Sequence, residues 1–79
     1  MSEMYERAKT EYARVLRVPP NSVERVYNRQ YMCFLRDFIA EHEGRDAETV
    51  QIEYEQPAWD DIWRREFGGT AAEMQNSMR

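Results

Sequence analysis

The stretch NSVERVYNRQYMCFLRDFIAEHEGR, residues 21–45, decides how this chain folds. Pro19 and Pro20 precede it and stop any helix running in from the N-terminal side. Asn21 suits an N-cap, because its side-chain oxygen can accept from a free backbone N–H of the first turn. Glu24 follows three residues later, the spacing of a capping box. Gly44 suits the far end, where a left-handed residue closes a helix. Between them Val23, Val26, Tyr27, Tyr31, Phe34, Leu35, Phe38 and Ile39 recur at spacings of three and four. That period predicts one helix over 22–43 with a broad apolar face, and Arg25, Arg29 and Arg36 fall on the other side. The stripe is wider than a two-stranded coiled-coil seam requires. The helix is therefore expected to touch more than one neighbour, in its own chain or in a second copy.

Working outward, residues 2–18 read as a first helix with Met4, Tyr5, Ala8, Tyr12, Val15 and Leu16 on one face. The short turn through Pro19 and Pro20 makes the two helices spatial neighbours, an αα-hairpin. Residues 46–56 admit two readings. Val50, Ile52 and Tyr54 alternate with Gln51, Glu53 and Glu55, and this period of two in strand-forming residues predicts a short strand at 49–55. The rival is a short helix capped by Asp46, with Ala47, Val50 and Tyr54 on one side. A lone strand leaves its edges unpaired, so the strand reading implies pairing across a homodimer or addition to another protein's sheet. Residues 57–67 read as a further helix, with Pro57 in its first turn, Asp60 and Asp61 early and Arg64 and Arg65 late, as the helix dipole favours. Thr70 and Glu73 have capping-box spacing for a short tail helix at 71–77. The expected fold is thus mainly α, one small helical domain over residues 1–79.

A chain of 79 residues buries a limited core, and oligomerisation would add to its stability. One cysteine excludes an internal disulfide; with no signal-peptide pattern, it points to the cytoplasm. No apolar run approaches the roughly 20 residues of a membrane span. Arginine supplies ten of the eleven basic groups, a habit of GC-rich bacterial and phage genomes. The net charge of −4 is unevenly spread. Residues 1–36 carry +3, residues 37–61 carry −8 and residues 62–79 carry +1.

Chemistry is hard to place. Cys33 and His42 are nine residues apart on one predicted helix, about 13 Å along its axis, and face different ways, which forbids a dyad within the chain. One histidine and one cysteine are too few for a usual zinc site. Glycines stand only at 44, 68 and 69, so no phosphate-cradling loop is present. No enzyme activity, cofactor or metal is expected.

The densest signal is aromatic. Tyr54, Trp59, Trp63 and Phe67 lie beside the carboxylates Glu53, Glu55, Asp60 and Asp61. Tryptophan and tyrosine dominate interface hot spots. These eight residues predict a docking patch for a larger protein with a basic surface, in a non-catalytic inhibitor or adaptor of phage or mobile-element type. The alternative is a dimeric nucleic-acid-binding regulator, with Arg14 and Arg17 on phosphates and Arg25 and Arg29 in the groove. The sequence pI of about 5.0 runs against that footprint. The Asp60-Asp61-Ile62-Trp63 segment beside an acidic stretch resembles the toxin-wrapping tails of antitoxins, which implies an antitoxin-like protein among the alternatives.

Overall fold

The computed structural model describes residues 2–68 and shows four helices: α1 Ser2–Val15, α2 Val23–Tyr27, α3 Arg29–Glu43 and α4 Ala47–Phe67. The tail helix expected at 71–77 lies outside the described residues. α1 and α3 pack as the two arms of the expected hairpin, and α4 returns along α3 and closes against α1.

The core is small. Tyr12, Val15, Ile39 and Val50 are the largest fully buried side chains, joined by Ala8, Leu16, Leu35, Ala40 and Ala58. Tyr5, Met32, Phe38, Ala47 and Tyr54 pack around that centre half-buried. Each helix therefore contributes through residues three and four apart, except α2, which buries nothing.

The long central helix is not continuous. Asn28 sits at φ −85° and ψ 0°, in the bridge region, and splits it into α2 and α3. The cap of α2 is Ser22, not Asn21: its Oγ accepts from the Arg25 N–H at 3.2 Å. The turn at Asn28 redirects residues 23–27, and Arg25 Nη1 then reaches the carbonyls of Val18 at 2.9 Å and Leu16 at 3.4 Å. These carbonyls lie just past the C-terminal end of α1, whose regular helix stops at Val15 and not at residue 18. Two other arginines serve the same end: Arg17 Nη1 donates to Ala13 O and Arg65 Nη2 to Arg17 O, each at 2.8 Å. Cations at a helix C-terminus both satisfy orphan carbonyls and complement the dipole. Gly44 ends α3 as expected, at φ +64°, with the Arg45 N–H bonded back to Ala40 O at 2.9 Å.

The expected strand at 49–55 is helix. Asp46 caps α4 by accepting from the Thr49 N–H at 3.3 Å, and helical structure then runs unbroken to Phe67. Val50 and Tyr54 face the core one turn apart, while Ile52 between them faces solvent. The alternation is thus a helix that is apolar on two sides. Pro57 does not start a helix but lies inside one. It removes one backbone donor, and the helix persists because Val50 and Tyr54 anchor it before the proline and Ala58 and Ile62 after it. The ground for strand pairing across a dimer falls with the strand.

Candidate functional site

At 100° per residue, Val50, Tyr54, Ala58 and Ile62 form the inner face of α4. Ile52, Trp59, Trp63 and Phe67, spaced seven, four and four, fall on the opposite side. Ile52 is 56% exposed, Trp59 44% and Phe67 60%, with Trp63 half-buried between them. The Trp63 and Phe67 rings lie 4.6 Å apart at 37°. The result is an apolar ridge about 22 Å long on the outside of the molecule. Singly scattered exposed apolar residues are ordinary, but four in register on one helix are not.

The sequence-predicted set divides on this geometry. Trp59, Trp63 and Phe67 come together on the ridge. Tyr54 turns inward, its ring 5.0 Å from that of Tyr12. Ile52 was not among the residues predicted for the patch; its seven-residue spacing from Trp59 on one continuous helix was the available signal, which the strand reading of 49–55 hid. Among the carboxylates, Asp61 accepts from Arg17 Nε at 2.5 Å and lies 3.5 Å from Arg64. The Arg17 guanidinium holds its carboxyl below the usual value. Glu53 pairs with Arg45, and Glu55 accepts from Gln51 Nε2 at 3.1 Å. Asp60 has no partner among the described residues, which leaves it free to meet an outside cation beside the ridge.

A second apolar surface lies elsewhere. Val23, Val26 and Tyr27 on α2 are 71%, 71% and 82% exposed, although the periodicity placed them on the same apolar face as Leu35 and Ile39. A groove of about 600 Å³ lies between α1 and α3, with Met4, Ala8, Phe34 and Leu35 among its lining residues, together with Arg7 and Glu11. In all, Tyr27, Tyr31, Phe34, Trp59, Trp63 and Phe67 stand outside the core cluster, six of the ten aromatics.

The arginines of the nucleic-acid alternative are largely occupied. Arg14 pairs with Glu11 at 2.5 Å and lies 3.9 Å from Glu24. Arg17 binds Asp61, and Arg25 holds the end of α1. Arg29 alone of the four has no hydrogen-bond or salt-bridge partner among the described residues. Cys33 is exposed on α3. His42, near the other end of α3, stacks on Tyr5 at 4.1 Å and faces Phe38 at 6.3 Å. Tyr5 in turn donates to Glu43, which lowers the Glu43 carboxyl and raises the Tyr5 phenol. This cluster fastens the start of α1 to the end of α3. No group of three metal-ligating side chains converges among the described residues, and no helix there is long and apolar enough to cross a membrane. No protein-family model matches this chain, and no curated protein or solved structure matches it either.

Proposed function

We propose that this chain is a non-catalytic protein-binding module, an inhibitor or adaptor, that docks on a larger protein through the outer face of α4. The observation that carries this reading is the ridge of Ile52, Trp59, Trp63 and Phe67 opposite the core-facing side of the same helix. A helix laid into an apolar groove is read through anchors at such spacings, and tryptophan is the residue type most enriched at interface hot spots. The charge of −8 over residues 37–61, with Asp60 unpaired, favours a groove rimmed by basic side chains. The single cysteine favours the cytoplasm. A homodimer rests now on exposed apolar area alone. The small size and arginine-rich composition suit phage or mobile-element proteins.

The test is capture with tagged protein after nuclease treatment, comparing the wild type with Trp59→Ala/Asp60→Lys. A stoichiometric protein partner should be bound about thirty-fold or more weakly by the variant, the scale of a hot-spot loss. The circular dichroism spectrum should not change, because both side chains lie outside the core cluster. Equal capture by the variant would remove α4 from the interface. Recovery of nucleic acid only, lost on nuclease treatment, would favour the regulator reading, for which Arg29 is the remaining support.

A further inference from the structure

A second cleft, of about 410 Å³, opens between the end of α1, α2, α3 and the inner flank of α4. Its charge is opposite to that of the chain. Arg25, Arg29 and Arg36 line it against the single carboxylate Glu55, in a protein of net charge −4. Glu55 is already engaged by Gln51, whose Oε1 accepts from Arg36 Nη1 at 2.8 Å. This chain of contacts fixes the Arg36 guanidinium while leaving donors unused, since an arginine carries five N–H groups and Arg36 spends Nε on Asp37 and Nη1 on Gln51. Arg29 spends none on the described residues.

The second observation is independent of charge. Tyr12 is 2% exposed and lines the same cleft, yet its hydroxyl has no hydrogen-bond partner among the described residues. Buried tyrosines ordinarily find one. Among the described residues, no fully enclosed side-chain oxygen lacks a partner. The hydroxyl is therefore not sealed, and it opens on the cleft that its ring lines. Leu16, Val26 and Met32 supply the apolar walls. A concave site of a few hundred Å³, mostly apolar with a few convergent polar groups, is the ordinary form of a small-molecule site.

We propose that this cleft binds a small organic anion, with a phosphate or carboxylate head held by Arg29 and Arg36, the Tyr12 hydroxyl donating to it, and an apolar body against Leu16, Val26 and Met32. The site is separate from the α4 ridge and does not depend on the docking reading. Cys33 lines the cleft and is exposed, so it reports occupancy without contributing to binding.

Phenyl phosphate, benzoate and inorganic phosphate are titrated into the full chain, followed by the tyrosine ring resonances and by the rate of Cys33 alkylation with iodoacetamide. At least one organic anion should bind saturably with Kd below about 1 mM and slow alkylation about tenfold. Inorganic phosphate, lacking the apolar body, should bind about tenfold more weakly or worse. The tighter of the two organic probes tells a phosphate site from a carboxylate site. Tyr12→Phe and Arg29→Gln should each weaken binding about tenfold. Tyr12→Phe should leave the melting temperature unchanged or higher, because the lost hydroxyl has no partner in the fold. No saturation up to about 10 mM with either organic probe would overturn the proposal, as would wild-type affinity in both variants. Displacement of the probe by a single-stranded oligonucleotide, with steep salt dependence, would overturn it in favour of a nucleic-acid contact.

Discussion

Tyr12 shows how much one position can hold. Burial, with the Glu55 charge second, pushes its phenol up to about 12 from the ordinary 10.0. Because the folded-state value lies above the unfolded one, the associated stabilisation is complete below pH 10 and is lost as pH rises toward 12, on the order of 2–3 kcal/mol. Tyr5, Tyr31 and Tyr54 are displaced in the same direction. Alkaline titration should therefore show a late tyrosinate absorbance rise that coincides with loss of helix. A rise complete by pH 11, with helix intact, would mean that the Tyr12 ring is not buried as described. The burial of Tyr12 was legible from its place on the apolar face of α1. Its lack of a partner was not, because that depends on what three other helices fail to present. Gly44 was legible outright, since a glycine closing an apolar-periodic run states a backbone requirement and not a contact.

At the scale of the helix, α4 shows where local pattern misleads. Alternation in Val50, Ile52 and Tyr54 is a valid strand signal only if all three share one environment. Here two are inside and one outside, which a helix with two apolar sides also produces. The Asp46 cap, with Ala47, Val50 and Tyr54 at helical spacing, carried the correct reading, and Pro57 obscured it by suggesting a start in mid-helix. A proline there costs about 3 kcal/mol relative to alanine in a helix interior, unless the kink is used for packing. Pro57 is exposed and belongs to no part of the core cluster. Pro57→Ala should raise the denaturation midpoint, by up to about 3 kcal/mol in unfolding free energy. A lower midpoint would show that the two halves of α4 need the proline to pack against α1 and α3 together.

For the molecule as a whole, the sequence told which residues share a face but not what lies opposite it. The run from Val23 to Ile39 reads as a single stripe, yet Leu35 and Ile39 reach the core while Val23, Val26 and Tyr27 do not. The cause is the turn at Asn28, whose backbone angles no periodicity encodes. The same limit applies to the ridge: Trp59, Trp63 and Phe67 were found by composition, Ile52 was lost with the strand, and Tyr54 was counted outward because an aromatic beside acids looks the same from either side of a helix. Charge partners were no more legible. Of the four arginines expected to meet a nucleic acid, Arg14, Arg17 and Arg25 bind carbonyls or carboxylates of their own chain.

A segment that buries no side chain has little to hold it closed, and α2 is such a segment. It is also where a protease specific for basic residues would enter. Arg25 is tied to two carbonyls, whereas Arg29, one residue past the turn, is not. Brief trypsin treatment should make its first cut within residues 2–68 after Arg29, read by intact mass. A first cut after Arg45 or Arg64 would place the weakest point of the fold elsewhere. Cleavage at Arg29 would separate α1 and α2 from α3 and α4 in sequence. The core contacts between α1 and α3 would then act between two chains, so the nicked protein should elute as one particle and run as two bands under denaturing conditions.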